Sequence, residues 1–140
     1  MRKVLIPYDG SDNALRVVRY AAALAKQLSD VQLELLNVQD PLPRRVHGVL
    51  SEQEVARWQA GESDIVLGPA TEILDAEKVH YQVRSRVGSP ASEIALHVQE
   101  SQCDAIMMGT RGLGPIANLV IGSVATKVIY LVEVPVTLIK

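Results

Sequence analysis

Five short apolar runs recur along this chain, and the stretches between them carry apolar side chains at helical spacing. That alternation of two periods constrains the fold more than any other feature, because it calls for strands joined by helical crossovers. Val4, Leu5 and Ile6 form the first run, closed by Pro7 and the turn signal Tyr8-Asp9-Gly10-Ser11, which puts strand one at about residues 2–8. Apolar residues at 14, 17, 18, 21, 24, 25 and 28 form one stripe, so residues 12–28 are expected to be helical, with Ser11 or Asp12 as N-cap. Residues 31–38 read as a second strand, ended by Asp40-Pro41.

Residues 39–50 hold Pro41, Pro43, Arg44 and Arg45 and read as an irregular, solvated loop. Ser51 and Glu54 have the spacing of a capping box, so a helix is expected to begin there. Gly61 and Gly68-Pro69 are expected to interrupt it before the pattern resumes through residues 71–77. Val79, Tyr81 and Val83 then alternate with His80, Gln82 and Arg84, the pattern of a half-exposed strand at a sheet edge. Gly88-Ser89-Pro90 opens another helix, with Ser89 as N-cap, Pro90 at the first position and a stripe of Ala91, Ile94, Ala95 and Val98. Residues 105–108 are a continuous apolar strand, residues 122–131 a helix, and residues 134–139 a last strand. The order β-α-β-α-β-α-β-α-β predicts a parallel sheet with helices on both faces. Ligands of such sheets bind beyond the carboxyl ends of the strands, where strand order reverses, which singles out the loops at Asp9 and Gly109.

The 140 residues form one domain, 1–140, with no Pro/Gly/Ser-rich linker, and a chain of this size buries roughly two-thirds of its surface on folding. Hydrophobic residues make up 48%, yet only 4% are aromatic and Phe is absent, so the core is aliphatic. A net charge of −2, with Lys and Arg scattered, leaves no general basic footprint for nucleic acid or an anionic membrane. Met1-Arg2-Lys3 precedes only a short apolar run, and no stretch approaches the ~18 apolar residues of a membrane span, so a soluble, cytoplasmic protein is expected. The one cysteine, Cys103, begins an apolar run and reads as a buried thiol.

The segment Gly109-Thr110-Arg111-Gly112-Leu113-Gly114-Pro115, followed by Gly122-Ser123, carries the chemistry. Glycines after a buried strand let a ligand approach bare backbone, and a helix start at Gly122-Ser123 offers N–H donors and a hydroxyl suited to phosphate. Arg111 adds a charge-assisted contact; a merely flexible connection is the competing reading. No GxxxxGK[ST] follows any strand. Gly112-x-Gly114-x-x-Ala117 matches the dinucleotide fingerprint by letter, but it follows the fourth strand and contains Pro115.

Gly109-x2-Gly112-x9-Gly122-Ser123 resembles the G-x2-G-x9-G-[ST] motif of the ATP-binding branch of the universal stress protein family. Ile6-Pro7-Tyr8-Asp9-Gly10-Ser11 is similar to that family's first-strand signature, Gly88-Ser89-Pro90-Ala91-x-x-Ile94 to the start of its third main helix, and Val134-Pro135-Val136-Thr137-Leu138-Ile139 to its closing strand. The resemblance implies a single-domain, adenine nucleotide α-hydrolase-like fold with strand order 3-2-1-4-5. It implies an ATP-binding homodimer that acts as a regulator or sensor in a stress response and pairs through strand 134–139, whose apolar edge needs cover. The residues it assigns are Asp9 and Val38 around adenine and ribose, with Tyr8 meeting the base through its backbone; Gly109, Arg111 and Gly112 along the phosphate loop; Gly122, Ser123 and Val124 closing on the phosphates; and Pro7 and Met108 within the same site. Asp9 also suits an Asx-turn or helix cap, and Ser123 a plain N-cap.

A Mg²⁺ ion could arrive with ATP, held by phosphates and water. His47, His80 and His97 are too dispersed for a metal cluster, and Trp58 reads as a packing residue. No nucleophile–base pair is visible, so two alternatives stay open: weak ATP hydrolysis or autophosphorylation, and a nucleotide-independent dimeric scaffold.

Overall fold

A computed structural model describes residues 2–111 and 121–140. Strands β1 (Arg2–Pro7), β2 (Val31–Gln39), β3 (Tyr81–Val87), β4 (Ala105–Gly109) and β5 (Val136–Ile139) form one sheet in the order β3-β2-β1-β4-β5, every neighbouring pair parallel. The helices between them are α1 (Asp12–Gln27), α2 (Arg44–His47), α3 (Glu52–Ala76), α4 (Pro90–Glu100) and α5 (Ser123–Leu131). Successive strand residues point to opposite faces, so the sheet divides the interior in two. Val4, Ile6, Leu33, Leu35 and Met107 pack on the α1 and α3 side. Leu5, Leu36, Ile106 and Met108 pack on the α4 and α5 side. The strand order, the edge position of β3 and the helices on both faces match the sequence reading.

Local signals explain the helix starts. Ser11 accepts a hydrogen bond from the Ala14 N–H at 3.1 Å and caps α1. Ser51 and Glu54 form both bonds of the capping box, each 3.1 Å. Ser89 occupies the N-cap of α4 with Pro90 behind it, although its side chain makes no capping bond.

Two expectations in residues 39–77 fail, the irregular loop and the interruption of the helix that Ser51 opens. Arg44–His47 form a short exposed helix within the expected loop. Glu52–Ala76 is one continuous helix of 25 residues, passing through Gly61, Gly68 and Pro69 without a break. Its buried stripe is Val55, Gln59, Ser63, Leu67, Ala70 and Leu74. Two polar members hid that stripe in the sequence. Gln59 donates to the Asp40 carbonyl at 3.0 Å, and the Ser63 and Ser85 hydroxyls share a 2.6 Å hydrogen bond. Packing along the whole stripe outweighs a propensity penalty of about 1 kcal/mol per glycine and ~3 for proline. Trp58, read as a packing residue, is 50% exposed on this helix.

Beneath α4 lies a polar group that sequence reasoning did not assemble. Glu34 of β2 and His97 of α4 are both almost fully buried and meet through Oε1 and Nε2. Ser101 Oγ lies 3.1 Å from the same nitrogen, and Lys3 Nζ is 3.7 Å from Glu34 Oε2. Cys103 is buried nearby, and its thiol is pushed up to about 11 by burial first and then by the Glu34 charge.

Removing His97 takes a buried hydrogen-bond partner from the Glu34 carboxylate, which keeps only Lys3 at 3.7 Å among the described residues, and a buried acceptor left short of a partner costs about 1–3 kcal/mol. His97→Ala is expected to lose about 2 kcal/mol of unfolding free energy in urea, and Glu34→Leu with His97→Leu to recover most of it. A loss below about 1 kcal/mol in the single variant would show that the pair holds nothing together.

Candidate functional site

The chain winds from β1 outward to β2 and β3, then restarts at β4 on the other side of β1. The loops leaving β1 and β4 therefore diverge, and a cavity of about 480 Å³ opens between them beyond the carboxyl ends of the strands. Ten of the eleven residues singled out in the sequence line it: Pro7, Tyr8, Asp9, Val38, Met108, Gly109, Arg111, Gly122, Ser123 and Val124. The eleventh, Gly112, lies outside the described residues, as does the glycine-rich stretch that follows it.

The first wall comes from the end of β1. Asp9 Oδ1 accepts from the Ser11 N–H at 2.9 Å, so Asp9 does form the Asx-turn while also lining the cavity. Gly10 has φ +85°, a turn conformation that strongly favours glycine, and α3 closes over it through Val66. Tyr8 lines the cavity with most of its backbone already engaged. Its N–H donates to the Leu36 carbonyl at 2.8 Å, and its carbonyl accepts from Asn37 Nδ2 at 2.9 Å. Its backbone is thus engaged inside the fold, with only a second carbonyl lone pair left for a ligand. The phenol is buried, its hydroxyl has no partner among the described residues, and burial raises its pKa first, with the Asp9 charge second.

The second wall comes from the end of β2. Val38 presents an apolar side, while Gln39 Nε2 donates to Asn37 Oδ1 at 2.7 Å and Asp40 brings a second carboxylate to the lining. Asn37 was legible only as one of several polar residues in a largely apolar strand, and sequence reasoning passed over it.

The third wall is the end of β4 and the start of α5. The Gly122 N–H donates to the Thr110 carbonyl, which staples the two ends of the glycine-rich loop. Gly122's own N–H is therefore spent, contrary to the expectation that it is free for phosphate. Gly122 is also the N-cap, so Ser123 is the first helical residue rather than the cap. A glycine cap brings no side-chain acceptor, which leaves the Ser123, Val124 and Ala125 N–H groups as the donors at this helix start. Arg111 supplies the positive charge of the lining, and Asp9 and Asp40 the negative ones.

Asn13, which the sequence reading passed over, organises this end. Ser11 already caps α1, so Asn13's buried side chain is spent outside its own helix. It accepts from the Arg111 N–H at 2.9 Å and donates to the Ile139 carbonyl at 3.0 Å. It fits because residue 109 is glycine: a Cβ there would stand 2.2 Å from Asn13 Oδ1.

Among the described residues no group of three or more His, Cys, Asp or Glu could hold a metal ion, and no helix is long and apolar enough to cross a membrane.

A model described as the universal stress protein family matches residues 1–140. A universal stress protein of Thermus aquaticus is 29% identical over 139 residues, which cover 99% of this chain and 98% of the relative. The structure of a universal stress protein from Archaeoglobus fulgidus superposes with a TM-score of 0.74 at 28% identity, covering 100% of this chain and 98% of that one. A structure of the Archaeoglobus fulgidus protein in complex with dAMP superposes with a TM-score of 0.71 at 26% identity, with the same coverage of 100% and 98%.

Gly109→Ala forces Asn13 out of a buried notch in which both its polar groups are bonded. The variant is expected to lose about 1–3 kcal/mol in urea denaturation, the usual cost of overpacking. Stability equal to the unchanged protein would mean that Asn13 can leave without consequence.

Proposed function

The chain belongs to the universal stress protein family, and we propose that it is an adenine-nucleotide-binding regulator, a homodimer whose nucleotide lies in the cavity between β1 and β4. The observation that carries this reading is the convergence of the end of β1, the end of β2, the Gly109–Arg111 backbone and the start of α5 on one space. Its volume of about 480 Å³ falls in the ~300–1,000 Å³ range of small-molecule sites. The dAMP complex of the Archaeoglobus fulgidus relative supports an adenine nucleotide as the occupant.

In this reading the base and ribose lie against Val38, Pro7 and Asp9, whose Oδ2 is the acceptor on offer. The phosphates lie at the start of α5, on the Ser123 hydroxyl, the Ser123 and Val124 N–H groups and Arg111, with Gly109 and Gly112 giving close backbone approach. A helix start carries about half a positive charge, which favours phosphate there. ATP is the nucleotide proposed, and a Mg²⁺ ion would come with its phosphates, since the lining offers only the separate carboxylates of Asp9 and Asp40. The protein acts in the cytoplasm as a sensor rather than a strong catalyst: nucleotide in the cavity alters what the surface offers a partner.

Homodimerisation is supported by β5, whose outer edge is unpaired among the described residues and carries Val136, Leu138 and Ile139. The segment leading into it leaves Tyr130 87% exposed, with Ile129 and Leu131 beside it. Sedimentation equilibrium is expected to give the mass of two chains, falling to one in Val136→Lys; a wild-type monomer would end the dimer proposal.

Thermal unfolding tests the nucleotide site. Gly122 has φ −70° and ψ 166°, an N-cap conformation that Asp adopts readily. Gly122→Asp should therefore fold, cap α5 and put a carboxylate where phosphate would sit. At 100 times its dissociation constant, ATP is expected to stabilise the wild type by about 2.7 kcal/mol, roughly 8 °C for a chain of this size, and to leave Gly122→Asp unmoved. If neither protein shifts while both fold, the nucleotide reading fails and a nucleotide-independent scaffold takes its place.

A further inference from the structure

We propose that Asn13 couples the nucleotide cavity to the sheet edge: it is a positioning residue that ties the main chain of Arg111 to the end of β5, so that a shift at one is felt at the other. The proposal rests on the cavity reading above only for the identity of the ligand; the tie itself is a property of the protein alone.

The geometry is a two-branched link to one acceptor. Thr110 and Arg111 are consecutive residues leaving β4. The Thr110 N–H donates directly to the Ile139 carbonyl at 3.0 Å. The Arg111 N–H reaches that same carbonyl through Asn13, donating to Oδ1 at 2.9 Å while Nδ2 donates to Ile139 at 3.0 Å. Asn13 is 5% exposed, so water cannot readily replace either bond. Its primary amide is planar and holds donor and acceptor at a fixed separation, so it cannot follow Arg111 without loosening its hold on Ile139. The notch left by Gly109 keeps the amide in place. A second strut from α1 reaches the same strand end, Arg16 Nε donating to the Lys140 carbonyl at 3.0 Å.

Arg111 is both the cationic residue of the cavity lining and the owner of the amide that Asn13 holds. A phosphate that draws Arg111 inward therefore pulls on a bond whose other half fixes the last residue of the edge strand. By linkage the coupling is reciprocal: whatever covers the outer edge of β5 alters nucleotide affinity by the factor with which nucleotide alters that covering. A helix-capping role does not account for the arrangement, because Ser11 already caps the helix and the two partners of Asn13 lie on different segments.

Amide hydrogen exchange on the full chain, first without ligand, tests the tie through two variants. Asn13→Ala removes both bonds; Asn13→Asp keeps the acceptor for Arg111 and sets a carboxylate oxygen against the Ile139 carbonyl, which breaks that bond and repels the strand end. In Asn13→Ala the amides of Arg111, Thr110 and β5 are expected to exchange roughly five- to tenfold faster together, while those of β2 are unchanged. In Asn13→Asp only Thr110 and β5 should speed up, Arg111 staying protected. Acceleration confined to one segment in Asn13→Ala, or none, overturns the proposal. With saturating 5′-AMP as the probe, exchange in β5 is expected to slow in the wild type and to stay unchanged in Asn13→Ala that binds it. Equal slowing in both overturns the coupling. Failure of the wild type to bind AMP would count against the nucleotide reading, while the ligand-free comparison still decides the tie.

Discussion

A parallel strand cannot return to its neighbour by a hairpin, so every step across this sheet is made by a crossover lying on one of its faces. That constraint arranges the rest of the molecule. The crossovers put α1 and α3 on one face and α4 and α5 on the other, which buries Leu5, Ile6, Leu33, Leu35, Leu36 and Ile106 completely. Because β4 restarts beside β1 instead of beside β3, neighbouring crossovers leave the sheet toward opposite faces, and the gap between them becomes the cavity. The site is thus a by-product of the winding order, and the residues there are those that could occupy an existing opening.

Two sets of buried polar groups have different consequences. Glu34, His97, Ser101 and Lys3 sit under α4, away from the cavity lining, and answer one another at short range. Such a pair offsets its own desolvation without adding much to stability, but it penalises any packing that separates β2 from α4. Asn37, Asn13 and Thr110 lie at the carboxyl ends of the strands and bond mainly to backbone. They hold open the ends of β1, β4 and β5, where a strand ladder runs out of partners and bare carbonyls would otherwise be buried.

Much of this was legible in the sequence, for reasons that differ by element. The strands, α1 and the edge position of β3 announced themselves because each keeps a clear apolar period, alternating in β3 and helical in α1. The cavity lining was legible because glycine spacing and strand ends point to the same place. What escaped was polar. The stripe of α3 was broken on paper by Gln59 and Ser63, whose partners, the Asp40 carbonyl and Ser85, lie 19 and 22 residues away. Glu34 and His97 are separated by 63 residues, and Asn13 meets Arg111 across 98 and Ile139 across 126. Periodicity reports which side of an element is buried; it carries no information about which distant atom will answer a buried donor. The same limit misassigned the Gly122 N–H, whose use depends on where the Thr110 carbonyl is carried by the sheet.

Cys103 stands beside the buried Glu34, its thiol held neutral up to about 11, mainly by burial. Peroxides and disulfides react with thiolates, and a thiol that stays protonated and out of solvent offers them almost nothing. The chain has no second cysteine with which to form an internal bridge. The one thiol of such a protein takes little part in an oxidising episode, so a signal about such conditions is not recorded on that sulfur.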